Sequence, residues 1–249
     1  MNVLVLRPER AAARTAEGLA RLGHRAIVAP VLAIEDIASS IPDGPYDAVL
    51  ATSANGLRKL SQRPEIARLT ETRLIAVGDR TAAAGHEAGF AVVHVADGDG
   101  RALVAEAMKR FSPPARFLHA AGADRAFDIA GALGLQGYAV VVAELYRATA
   151  ADRLPQAAED ALARGEVDAV LHHSRRIAET FLRLSDAAGH GATIRALRHV
   201  ALAPRVAAAL TEARCAEVAV ASRPDEGSLF EALTRLGDDR SPSGGGRSN

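Results

Sequence analysis

Short apolar runs alternate with helix-patterned stretches along almost the whole chain. Asn2–Leu6 reads as a buried strand, and Glu9–Arg21 as a helix stopped at Gly23. Ala26–Pro30 is a second strand, and an extended stretch follows to about Ile37. After a Pro- and Gly-containing linker over Ser39–Pro45, the pattern predicts strand Ala48–Ala51, helix Gly56–Leu60, strand Leu74–Val77 and helix Arg80–Ala88. Strand Ala91–Val95, helix Arg101–Arg110, strand Arg116–His119, helix Arg125–Leu133 and strand Val140–Ala143 follow, then an extended Glu144–Thr149. The last third predicts helix Pro155–Arg164, strand Ala169–His172, helix Arg176–Leu184, strand His199–Leu202, helix Val206–Ala213, strand Glu217–Ala221 and helix Gly227–Leu236. Apolar strands alternating with amphipathic helices predict an α/β protein whose parallel sheets are covered on both faces. Ten strands suit two sheets of five better than one sheet. The Gly-, Ser- and Asp-rich residues 238–249 read as a disordered tail.

The pattern also repeats. Tyr46-Asp47-Ala48-Val49-Leu50 with its following Ser returns as Val167-Asp168-Ala169-Val170-Leu171 with Ser174. Residues 22–33 return as 135–148, with Leu32 at the place of Tyr146, and residues 74–96 return as 199–221. Two halves of common architecture are expected. The repeat leaves open whether the domains lie in tandem or are interleaved.

Composition narrows the chemistry. The 249 residues carry 30 basic and 30 acidic side chains, so the net charge is zero. That argues against nucleic acid or an anionic membrane surface as a partner, since both need a basic excess. Cys215 is the one cysteine, which excludes an internal disulfide and any cysteine-based metal site. Charges at Arg7, Glu9 and Arg10 break the first apolar run too early for a signal peptide, and a cytoplasmic location is expected. Adjacent His172 and His173 point to opposite faces of a strand, so they do not readily share a metal.

Small polar residues recur where strands give way to helices: Arg7; Thr52, Ser53 and Asn55; Gly78 and Thr81; Gly122 and Arg125; Ser174 and Arg175. Capping of free helix amides needs the same residue types. At the carboxyl ends of parallel strands they also suit anions. Tyr146, one of three tyrosines, sits in the second extended stretch, as a packing residue or as a proton donor.

Taken in order, these segments resemble the uroporphyrinogen-III synthase family. Arg7-Pro8, Gly23-His24, Ala29-Pro30-Val31-Leu32, Tyr46-Asp47, Thr52-Ser53-Ala54-Asn55-Gly56, Val77-Gly78 and Thr81-Ala82 carry the first part. Gly122 with Arg125, Tyr146-Arg147, Asp168-Ala169-Val170 with Ser174, and Leu202–Leu210 complete it, so that it covers residues 3–236. The resemblance implies two flavodoxin-like domains with parallel five-stranded sheets, joined by two extended strands. Residues 1–36 with 149–237 would form the first domain, and residues 37–148 the inserted second. It implies a hydro-lyase that cyclises hydroxymethylbilane, inverts ring D through a spiro intermediate, and releases water without metal or organic cofactor. Tyr146 would then be catalytic. Arg7, Thr52, Ser53, Asn55, Gly78, Thr81, Gly122, Arg125, Ser174 and Arg175 would meet the substrate's carboxylate arms, in a protein expected to be monomeric. The chain departs from the family at His173-Ser174-Arg175-Arg176 and at Ala203-Pro204-Arg205-Val206, where Gly-Pro-Thr-Thr-type residues are common, so Arg175 or Arg205 would have to replace a hydroxyl. The rival expectation is a non-catalytic, cytoplasmic two-domain anion sensor.

Overall fold

The computed structural model describes residues 1–238. From the amino end come β1 (Asn2–Val5), α1 (Glu9–Arg21), β2 (Arg25–Val28) and β3 (Leu32–Asp36). Then follow β4 (Ala48–Ala51), α2 (Ala54–Leu60), α3 (Ile66–Leu69), β5 (Arg73–Val77), α4 (Gly78–Glu87), β6 (Val92–Ala96) and α5 (Gly100–Arg110). Next are β7 (Arg116–Gly122), α6 (Ile129–Gly134), β8 (Ala139–Ala150), α7 (Gln156–Ala163), β9 (Ala169–His172), α8 (Arg175–Ala187) and α9 (Gly191–Ala196). The described chain closes with β10 (Arg198–Ala201), α10 (Pro204–Glu212), β11 (Glu217–Val220) and α11 (Glu226–Asp238). The expected tail, Asp238 apart, lies outside the described residues.

The chain divides into two compact units. The first joins Met1–Ala33 to the chain from Thr149 onward, and the second is Ile34–Ala148. In the first, five strands lie in the order β11-β10-β9-β1-β2, every pair parallel. In the second, six strands lie in the order β3-β8-β7-β4-β5-β6, and the pairs from β8 through β6 are parallel. Five of these six strands repeat the first sheet's order, with β7 in the place of β1 and β4 in the place of β9.

The sixth strand corrects the expectation of two five-stranded sheets. The extended stretch after Val31 pairs as β3, and the Ile37 N–H donates to the Leu145 carbonyl at 3.0 Å. Its partner β8 runs unbroken for 12 residues, so the expected strand Val140–Ala143 and the extension after it are one element. Extended backbone exposes unpaired N–H and C=O groups, and a neighbouring strand satisfies them.

Alternation explains how both faces of each sheet are covered. Leu4 and Val170 face a core with Phe181 of α8 and Leu210 of α10, while Val3, Val5 and Leu171 face Leu19 of α1 and Leu229 and Leu233 of α11. In the second unit, Val49 and Leu118 pack with Leu57 of α2, and Leu50 and Phe117 with Leu103 of α5 and Leu133 of α6. With few aromatics, close helix approach fills the core. A Cβ on Gly56 would stand 2.5 Å from the Ala120 carbonyl oxygen, so only glycine lets α2 lie this close to β7.

The helix expected over Arg125–Leu133 begins only at Ile129. The Asp128 carboxylate accepts the Gly131 N–H at 2.9 Å and caps it there, which leaves Arg125 in the preceding turn. Helices α3 and α9 went unread because four and six residues are too few to show a period.

Candidate functional site

In each sheet the chain leaves two neighbouring central strands toward opposite faces. In the second unit, β4 leads to α2 on one face and β7 to α6 on the other. In the first, β1 leads to α1 and β9 to α8, again on opposite faces. Such divergence opens a crevice outside the carboxyl ends of the two strands, where α/β sheets hold their ligands.

At the second unit's crevice the structure brings three of the sequence candidates together. Ser53 follows β4 and caps α2, its Oγ accepting the Asn55 N–H at 3.1 Å. Tyr146 comes from β8, and its phenol donates to the same Oγ at 3.1 Å. Gly122 ends β7 at a register irregularity where it pairs with Tyr146. A Cβ on Gly122 would fall 2.7 Å from Tyr146 Cζ and 3.0 Å from its hydroxyl, so the ring lies where a side chain would otherwise stand. Arg125 sits beside this group, donating to Glu144 at 2.6 Å and to the Gly122 carbonyl at 3.3 Å. Asn55 accepts weakly from Arg58 at 3.4 Å, and Thr52 is exposed next to Ser53. Gly78 and Thr81 stand apart from them on α4, at the end of β5, with Thr81 buried. Behind the site, His119 of β7 is 1% exposed, and burial, with Arg125 adding, pushes its pKa down to about 4, so its imidazole is neutral at pH 7.

The first unit's crevice has a different chemistry. Arg7 follows β1 and donates to Glu226 at 3.0 Å and to Thr15 at 3.1 Å. Thr15 also donates to Glu226, and His173 Nε2 lies 3.8 Å from the same carboxylate. The nearby His173, with Thr15 and Arg7 adding, holds the Glu226 pKa down at about 2, while burial lowers that of Arg7. Ser174 caps α8 by accepting the Ile177 N–H at 3.2 Å. Arg175 pairs with Glu179 at 2.7 Å and Glu212 at 2.8 Å. Arg205 is exposed in the first turn of α10, and Val206 beside it is buried. Below this crevice, His172 and His199 share a buried 2.9 Å hydrogen bond, and His199 bonds the Ile194 carbonyl.

Sequence reading missed Glu226 and Thr15. An acidic residue in the first turn of an amphipathic helix is ordinary, and Glu226 stands 219 residues from its partner Arg7, so no local pattern marks it.

A family model described as uroporphyrinogen-III synthase (HemD) matches residues 13–231. Among curated proteins no sequence match is found. Two solved structures share the fold. A mutant uroporphyrinogen III synthase from the extremely thermophilic bacterium Thermus thermophilus is 22% identical, with 96% of this chain and 99% of that chain covered and a TM-score of 0.55. Uroporphyrinogen-III synthetase from Helicobacter pylori is 14% identical, with 94% and 98% covered and a TM-score of 0.65. Identities this low speak for the fold alone; it is the family match, spanning most of the chain, that places this protein in the uroporphyrinogen-III synthase family.

Proposed function

We propose that this protein is a cyclising hydro-lyase that closes hydroxymethylbilane with inversion of ring D and loss of water, giving uroporphyrinogen III for tetrapyrrole biosynthesis. The observation that carries the reading is the family match over residues 13–231. The cluster of Ser53, Gly122 and Tyr146 at one crevice supports it.

The reaction needs a proton for the leaving hydroxyl, which departs as the pyrrole nitrogen pushes electrons onto its ring to form an azafulvenium. It also needs ring D held for attack at its inverted position. Tyr146 supplies the proton through its phenol O–H, the donor that this cluster places at the strand end. Holding ring D is a matter of positioning. The carboxylate arms are read as meeting Thr52, Ser53, Asn55, Gly78, Thr81, Gly122 and Arg125 in the second unit and Arg7 and Ser174 in the first. Arg175 is the weakest candidate. Its guanidinium is already engaged by two carboxylates, Glu179 and Glu212, which compete with those of an acidic substrate. The reading carries with it a monomer acting in the cytoplasm. Light scattering tests the first point, and cell fractionation the second. Among the described residues no helix is long and apolar enough to cross a membrane.

The decisive assay supplies hydroxymethylbilane generated enzymically and resolves the product isomers. Uroporphyrinogen III well above the background is expected. Type I product alone, which the free bilane forms without inversion, would overturn the reading and favour a sensor that binds without turnover.

A further inference from the structure

The hydroxyl of Ser53 has more to do than cap a helix. A serine hydroxyl offers two acceptor sites and one donor. Both acceptor sites are occupied, one by the Asn55 N–H and one by the Tyr146 phenol, each at 3.1 Å. The phenol's proton is therefore directed at Ser53 Oγ. The proton left to point away from the protein is that of Ser53, for which the described residues provide no acceptor. Ser53 is half-buried beside exposed Thr52, at the mouth of the crevice between β4 and β7. The arrangement is built by close approach. Gly56 brings α2 down onto the Ala120 carbonyl, and Gly122 vacates the place taken by the Tyr146 ring. Remove either opening and the two hydroxyls, 93 residues apart in the chain, no longer meet.

We propose that Ser53 and Tyr146 act as one proton-donating couple, with Ser53 O–H as the group that reaches the leaving hydroxyl and Tyr146 as the acid behind it. This rests on the synthase reading above. As the carbon–oxygen bond breaks, its electron pair stays with the departing oxygen, which takes the Ser53 proton and leaves as water. Ser53 Oγ takes the Tyr146 proton in the same motion. The site then holds a phenolate opposite the azafulvenium cation, an opposite-charge pair. When ring D closes, the proton lost from its terminal carbon returns along the same route and restores both hydroxyls. On this proposal Ser53 moves from the carboxylate contacts named above to a catalytic role, and its loss should appear in kcat and not in KM.

The test is a double-mutant cycle on the intact chain, followed by single-turnover formation of uroporphyrinogen III from hydroxymethylbilane. Tyr146→Phe and Ser53→Asn are made singly and together. Asn keeps the helix cap and removes the hydroxyl, so folding is preserved. Each single change is expected to lower the rate about ten- to a hundredfold, the low end of general-acid effects. The double variant should be no slower than the slower single one, because both changes cut the same relay. Ser53→Thr, which keeps a hydroxyl on the cap, should restore most of the rate. The proposal fails if the two losses multiply, if Ser53→Asn raises KM at unchanged rate, or if Ser53→Thr is as slow as Ser53→Asn. A wild-type protein that makes no uroporphyrinogen III defeats the synthase reading itself, a different outcome from a working enzyme whose losses multiply.

Discussion

Ser53 and Ser174 occupy equivalent places. Each follows a fully buried central strand, and each caps the next helix through a backbone N–H. Around Ser53 the neighbours are a phenol and a glycine. In the first unit, the strand end next to Ser174 instead presents His173, which lies with Arg7 and Thr15 about the Glu226 carboxylate. At the second unit's crevice two hydroxyls meet beside the Arg125–Glu144 pair, whereas at the first unit's an arginine and a threonine converge on one carboxylate. The repeat of Tyr146 shows the same divergence, because Leu32 at its equivalent position is buried in the hydrophobic core of the first unit. Doubling a strand order thus reproduced the frame and the caps. It left the chemistry to whichever side chains arrive from distant parts of the chain, and only the second unit's crevice brings a phenol onto the capping serine.

Substitutions in each crevice should separate these roles. The largest effect is expected from Tyr146→Phe, which keeps the ring and removes the proton. Steady-state kinetics should show kcat down about ten- to a hundredfold with KM little changed. Wild-type kcat in this variant would reduce Tyr146 to packing and remove the chemical contrast between the two crevices. Next comes Gly122→Ala. It retains both hydroxyls but forces the ring away, because its Cβ would overlap Tyr146 Cζ. A kcat loss of several-fold up to that of Tyr146→Phe should follow, with a stability cost of about 1–3 kcal/mol for overpacking, measured by urea titration.

In the charged crevice the expected effects move to stability. Glu226→Gln weakens the bonds to Arg7 and Thr15 and removes the charge facing His173, and it should cost about 1 kcal/mol at pH 7, since the carboxylate is 37% exposed and solvent screens it. Its folded pKa of about 2 lies below the ordinary 4.5, so the unfolded chain binds the proton first. The contribution is therefore complete above pH 4.5 and is lost as the pH falls toward 2. Chemical melts of wild type and variant should converge over that window; a constant gap down to about pH 2 would mean the carboxylate carries no charge-linked stability. The smallest effect is expected from Ser174→Ala, where loss of the cap should cost about 1 kcal/mol or less and change kcat by under about twofold. A kcat loss matching that of a Ser53 variant would show that both crevices take part in the chemistry.

The frame was largely legible from the amino-acid order. Strands β4 and β9 were read to the residue, because a run of three or four apolar positions between Asp and polar residues is too short for a helix and reads as a strand covered on both faces. Ser53, Ser174, Gly122 and Tyr146 stood out as capping residues, as a glycine at a strand end and as a rare aromatic. Arg125 was misplaced into a helix because the cap at Asp128 competes with the apolar period that follows it. Glu226 was invisible for want of any local signal.

What the sequence determined by itself was local: alternation, helical period, capping and the apolar faces each element must bury. Hydrophobic burial is set by periods of a few residues, so it can be read along a single strand or helix. The tertiary structure alone decided that the extended stretch after Val31 becomes a sixth strand. It alone decided that Arg7 meets Glu226, and that the Tyr146 phenol meets Ser53 across the place left open by Gly122. Hydrogen bonds and ion pairs act over about 3 Å, and which groups come within that reach depends on how the whole chain is threaded.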